Sequence, residues 1–324
     1  PKVDEDGNVE NLTGLVDTVG NRVLDQWLPN VHLKIDLLEW ANLRLAATKS
    51  LNRPNFFSLV PWQVINRGES YAERGEPNLA HMSAWNYDAI LSMFGKFGLF
   101  TVGGFYKEID NIDYTLTSRI FDPDDPIYGL YLTRPVNAEG TSTVLGIELD
   151  LQSHLRFLPK PLNGIVISAN YTHLKSETLY PISIIETEDV FPYNSTVRDT
   201  IRSGNMPGQV DNLVNLSIGY EYKGFSARVS MIYQGSSLFV DDEPDMGRLA
   251  TSVGTTPDKD NYVGKSTRWD LVVKQKIKDF QIFLYVNNFT NVKETTFLSG
   301  SVNPLMTSSF VYGMTIDLGV AYKF

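Results

Sequence analysis

The chain has 324 residues, with 28 basic against 38 acidic side chains for a formal charge of −10, 42% hydrophobic residues and no cysteine. The absence of cysteine excludes disulfides, zinc-thiolate sites, iron–sulfur clusters and cysteine nucleophiles. The acidic balance argues against nucleic acid as a partner, because phosphate binding needs concentrated Lys and Arg.

No apolar segment approaches the ~18 residues of a transmembrane helix, but apolar residues recur with a period of two, the signature of strands with one apolar face. Weaker runs fall near 31–36, 42–49, 83–94 and 99–109. A sharp one covers 143–157, with Leu145, Ile147, Leu149, Leu151, Leu155 and Phe157 on one face and Glu148, Asp150, Gln152, His154 and Arg156 on the other. After a weaker run at 165–175, Val214, Leu216, Ile218, Tyr220 and Tyr222 alternate with residues that include Ser217 and Glu221. Phe225, Ala227, Val229, Met231 and Tyr233 then alternate with Ser226, Arg228, Ser230 and Gln234, and weaker runs follow at 267–277 and 280–289. From 310 to 324 every even position is apolar or aromatic, from Phe310 to Phe324. At this hydrophobic content, eight matches in eight positions arise by chance roughly once in a thousand. Helical spacing is absent. The pattern predicts eleven strands. The longest exceed the ~5 to 6 residues usual on a soluble core and suit the ~9 to 11 that cross a bilayer.

The predicted connections alternate in length. Short links fall near 37–41, 95–98, 158–163, 222–224 and 278–279, and long ones rich in Pro, Gly, Asn and Asp near 50–82, 110–142, 176–211, 237–266 and 290–309. Short turns at one rim and long loops at the other are the pattern of an outer-membrane barrel, with turns in the periplasm and loops outside. The predicted fold class is therefore all-β, a transmembrane antiparallel β-barrel, whose closure leaves no unpaired strand edge in hydrocarbon. Single-chain bacterial barrels have an even strand count. Eleven strands ending on the short-turn side therefore place residues 1–21 at the end of an extracellular loop. Residues 22–324 then read as the C-terminal part of a longer barrel.

Several segments resemble the TonB-dependent outer-membrane transporters, particularly those of Bacteroidota. Residues 145–164, LGIELDLQSHLRFLPKPLNG, look like a strand, periplasmic turn and strand of that family, and residues 206–230, MPGQVDNLVNLSIGYEYKGFSARVS, like its next hairpin. Arg53, Pro54, Asn55 and Phe56 look like its RPNF element, Asn287 to Asn291 like its NNxTN element, and Tyr322, Lys323 and Phe324 like its aromatic assembly signal. The resemblance implies the C-terminal half of a 22-strand barrel, with the plug domain and its TonB box outside this sequence. It further implies import of a scarce or bulky nutrient of the siderophore, cobalamin, glycan or peptide class. Substrate would be captured by loops and plug and released by energised plug movement, with no cofactor. The implied partners are outer-membrane lipid, the TonB–ExbB–ExbD motor, the barrel assembly machinery and a surface lipoprotein. A passive porin or structural translocon barrel would show similar wall strands.

Catalytic motifs are sparse: HExxH, GxSxG, GxGxxG and Walker sequences do not occur. A barrel protease would show an Asp-x-His pair, absent before His32, His81, His154 and His173, and a barrel phospholipase His and Ser two apart on one face, whereas His173 and Ser176 are three apart and so fall on opposite faces. Asp122, Asp124 and Asp125, and Asp241, Asp242 and Asp245, could offer oxygen ligands to Ca²⁺, although such runs are more often simply solvated. Loop aromatics, with Phe57, Trp62, Tyr71, Tyr180, Phe191 and Tyr193 foremost, could contact substrate together with Arg198. Trp85, Tyr87 and Tyr233 read as interfacial girdle. Charges of both signs should line the lumen or face a plug: Lys34, Asp36, Arg44, Asp88, Glu148, Asp150, Arg156, Glu221, Arg228, Arg268, Asp270 and Asp317.

Overall fold

The computed structural model describes residues 25–189, 191, 195–239, 259–299 and 304–323. Eleven antiparallel strands form the wall: β1 (Asn30–Leu38), β2 (Ala41–Asn52), β3 (Met82–Gly95), β4 (Gly98–Asp110), β5 (Thr141–His154), β6 (Ile165–Thr187), β7 (Asn212–Tyr222), β8 (Phe225–Gln234), β9 (Ser266–Ile277), β10 (Phe280–Asn287) and β11 (Thr315–Tyr322). They pair strictly in chain order, so every connection joins neighbours. Each of the eleven alternating runs overlaps one wall strand. Among the described residues no helix is long and apolar enough to cross a membrane.

The ladder register shows why the alternation is so regular. Directly paired residues share a face of the sheet. One row runs Asp36, Asn42, Ser92, Thr101, Asp150, Asn170, Asn215, and is polar throughout. The adjacent row on the other face runs Leu43, Leu91, Val102, Leu149, Tyr171, Val214, Tyr233, and is apolar throughout. Apolar side chains on that face stand open, Ile147 at 49% and Leu318 at 75% exposure, as a lipid-facing surface requires. Trp85, Tyr87 and Tyr106 stack along its upper margin at 6.0 and 6.3 Å between ring centroids. Tyr220, Phe225, Phe280 and Tyr322 form aromatic contacts along the lower one.

The buried apolar core lies above the wall, in the connections. Ala72, Ile127, Leu130 and Leu132 form one cluster, and Ile112, Tyr114, Ala138, Tyr180, Ile182 and Leu238 another. The connection after β2 supplies Gln63–Asn66 and Tyr71–Arg74, and that after β4 supplies Asp113–Arg119 and Tyr131–Asn137. These four strands make one sheet, closed by a parallel step between Tyr71–Glu73 and Tyr131–Thr133. Ser237–Leu238, Asn261–Val263, Lys293–Leu298 and Leu305–Val311 make a second sheet from the last two long connections.

Four sequence expectations need correction. The run at 310–324 is two strands: Leu305–Val311 belongs to the second loop sheet, and the chain turns at Gly313 (φ 81°) before β11. The run at 143–157 ends at His154, so Arg156 lies in a periplasmic turn rather than on the lumen face of a strand. Much of the expected loop at 176–211 is a hairpin, because β6 continues to Thr187 and pairs with Ser195–Gly204. Helix is not wholly absent: Phe56–Leu59 forms one turn, capped by the Asn55 side chain accepting from Phe57 N–H.

Candidate ligand-binding face of the extracellular loops

The RPNF element builds a rigid aromatic corner. The Asn55 cap holds Phe57 N–H at 3.0 Å, Trp62 Nε1 donates to the Phe57 carbonyl at 2.8 Å, and the two rings stack at 4.6 Å. Phe56 and Phe57 remain 80% and 61% exposed, with Trp62 half-buried beneath. Tyr71 is half-buried in the first loop sheet, at the parallel step beside Tyr131. Asn137 fastens this sheet to the preceding loop, accepting from Ala80 N–H at 2.7 Å and donating to the Ala80 and Asn111 carbonyls.

The hairpin at the end of β6 stands between the two loop sheets. At its base Tyr180 is fully buried, tilted against Tyr114 at 5.1 Å, and its hydroxyl donates to the Asn205 carbonyl. Tyr180 therefore packs the loop core and does not offer a ligand surface. Thr178 bridges Tyr114 Oη at 2.8 Å and Ser142 Oγ at 2.7 Å, so the buried hydroxyls satisfy one another. Arg202 and Asp260 form an ion pair at 2.7 Å with side chains only 12% and 6% exposed, and the Arg202 guanidinium also lies over the Tyr180 ring. Burial pushes the hydroxyls of Tyr114, Tyr180 and Tyr262 above the ordinary tyrosine value.

Further along this hairpin Arg198 pairs with Glu186 at 2.7 Å with both side chains more than half exposed, an arrangement worth about 0 to 1 kcal/mol. Phe191 is exposed. Tyr193, Asp241, Asp242, Asp245 and Phe324 lie outside the described residues. The structure thus brings Phe57 and Trp62 together but does not gather all the expected contacts into one cluster. Of the three carboxylates Asp122, Asp124 and Asp125, Asp122 Oδ1 accepts from Asp124 N–H and Asp125 Oδ1 from Ile127 N–H, so two of these side chains cap their own turn. Among the described residues no group of three His, Asp or Glu could hold a metal.

On the inner face, Lys34, Asp36, Arg44, Asp88, Glu148, Asp150, Glu221, Arg228, Arg268, Asp270 and Asp317 all point the same way by register. Lys34 pairs with Asp36 at 2.9 Å, and Arg268 with Asp270 at 3.5 Å. Asp270 also accepts from Asn288 N–H, and Asn288 donates to the Gly313 carbonyl and accepts from Val292 N–H. Asn288 is the pivot of the NNxTN element. It takes a positive φ of 52°, which asparagine tolerates better than most residues. His173 sits on the outer face, 3.0 Å from Asn212 Oδ1, while Ser176 is buried on the inner face and accepts from Met206 N–H. The two cannot act as a nucleophile and its base.

The family model for the TonB dependent receptor-like β-barrel matches residues 3–289. No curated protein sequence matches the chain. Among solved structures, a mutant of the ferric enterobactin receptor PfeA from Pseudomonas aeruginosa superposes with a TM-score of 0.60 at 12% identity, covering 91% of this chain and 40% of that one. The ferric citrate transporter FecA in its unliganded form gives 0.55 at 13%, covering 90% and 37%. The copper transporter OprC gives 0.56 at 12%, covering 91% and 39%. At such identities the likeness is one of fold, and the chain spans about two fifths of those proteins. That family is one of receptors and transporters rather than enzymes. The chain belongs to the TonB-dependent receptor β-barrel family, and its strands are the wall of a multi-pass barrel in the outer membrane.

Proposed function

We propose that this chain supplies about half the barrel wall and the extracellular loops of a TonB-dependent transporter that imports a scarce or bulky nutrient. The observation that carries the reading is the open sheet. The edge strands β1 and β11 are each paired on one side only among the described residues, and each unpaired backbone group in hydrocarbon costs several kcal/mol. Further strands must close the ring, and eleven more give the 22 that the family resemblance implies. An interior that wide needs filling. The mixed charges on the inner face suit a polar plug, which would be moved by the TonB–ExbB–ExbD motor.

Substrate capture is assigned to the folded loops, with the Phe56–Phe57–Trp62 corner as a preorganised contact. Rigid aromatic side chains supply contact area at small entropic cost. The siderophore, cobalamin, glycan and peptide classes all fit a face of this kind. A surface lipoprotein over the loops and the barrel assembly machinery at the C-terminal strand complete the proposed partners. The test is conductance of the full-length protein in planar bilayers. A plugged transporter carries no steady current, whereas steady open-pore current would identify a porin.

A further inference from the structure

The periplasmic rim carries charge of the opposite sign to the protein as a whole. Its turns hold Lys96, Arg156, Lys160, Lys223, Lys278 and Lys323 against only Glu39 and Asp279. Two of these lysines, Lys223 and Lys278, come from adjoining turns. Gly224 accepts from Lys276 N–H at 2.8 Å, which sets the Lys223 turn beside the end of β9, and Asp279 accepts from Lys323 N–H at 2.9 Å, which sets the Lys278 turn beside the end of β11. Immediately above them on the lipid side lies an apolar shelf of Tyr222, Phe225, Ile277, Phe280 and Tyr322, all at least one-third exposed. The Phe280 and Tyr322 rings lie 4.8 Å apart, and Lys223 Nζ stands 5.3 Å over Tyr222.

The backbone gives a second, independent sign. Lys223 and Lys278 have φ of 47° and 53°, a region where Gly or Asn is the unstrained choice and lysine is disfavoured. Strain retained where a better local residue exists points to a demand on the side chain. The shelf lies on the lipid face, which strands completing the ring leave open.

We propose that Lys223 and Lys278, with the aromatic shelf above them, form a binding belt for the headgroups of anionic phospholipid in the periplasmic leaflet. The shelf takes the upper acyl chains and the lysines take the phosphates, joining apolar burial to charge attraction. Each lysine near an anionic surface contributes ~1 kcal/mol, about fivefold in affinity. The inference rests on the membrane placement of the barrel and not on transport.

The test is native mass spectrometry of the full-length protein released from micelles containing equal phosphatidylglycerol and phosphatidylcholine. The wild type retains phosphatidylglycerol preferentially. The Lys223→Asn, Lys278→Asn variant loses at least tenfold of that preference. Because Asn is better suited to the two strained positions, this variant should melt at the same temperature as wild type or higher, so a folding defect cannot imitate the result. Equal retention of both lipids by the wild type, or an undiminished preference in the folded variant, overturns the proposal.

Discussion

The Arg202–Asp260 pair is the joint that ties the β6 hairpin to the second loop sheet, and Asp260→Ala is its sharpest test. The partners are 58 residues apart and nearly sealed from solvent. Removing the carboxylate leaves a guanidinium against the Tyr180 ring with no counter-charge. Breaking a buried pair on one side costs about 3 to 5 kcal/mol. Because Arg202 retains some exposure, we take the lower figure, ~3 kcal/mol, equivalent to rather more than a hundredfold in the local opening equilibrium. Hydrogen exchange of the full-length protein in nanodiscs should show protection at 178–182 and 200–206 falling by that factor, with the wall strands unchanged. The double variant Arg202→Met, Asp260→Leu, which removes both charges, should recover most of the protection. A change below threefold in Asp260→Ala would refute the assignment of this pair as the joint.

Two other perturbations probe different parts of the molecule. Gly98 opens β4 at φ 123°, and a Cβ there would run into the Gln152 carbonyl. Gly98→Ala should therefore cost roughly 1 to 3 kcal/mol and lower the melting temperature, whereas an unshifted transition would show that this turn is not held as described. The tyrosines of the loop core hold their protons more tightly in the folded state than in the unfolded one. Their contribution is complete below the unfolded value of about 10 and is lost as pH rises above it. Ultraviolet titration should show these tyrosines ionising only together with a loss of near-ultraviolet dichroism. Ionisation near pH 10 with the dichroism intact would contradict their burial.

The wall was legible in the sequence because lipid imposes one rule on every strand, and the period of two survives from Leu33 to Val320. The loops obey another rule. Along β6 the apolar face is outward at Ile167, Ala169 and Tyr171, then inverts around Ser176 so that Tyr180 and Ile182 point into the loop core. A period-2 pattern that changes phase reads as an ending, which is why the hairpin was expected as irregular loop. The same inversion turned Tyr180 from an expected contact into a core residue. At the C-terminal end the opposite happened: the phase persists from Phe310 to Tyr322 across the turn at Gly313, so two strands read as one. The Phe57–Trp62 stack joins residues five apart and was within reach of local pattern. Arg202 and Asp260 carry no local signal, since only the fold brings them together.

The central claim is that the eleven strands face lipid on one side and the barrel interior on the other. The chain has no cysteine of its own, so with any cysteine elsewhere in the full-length protein replaced, single cysteines at each position from 145 to 152 can carry a spin label. In liposomes, access to lipid-soluble oxygen should be high at 145, 147, 149 and 151 and low at 146, 148, 150 and 152. Oxygen access that fails to alternate along β5, or that peaks at Glu148 and Asp150, would contradict the account.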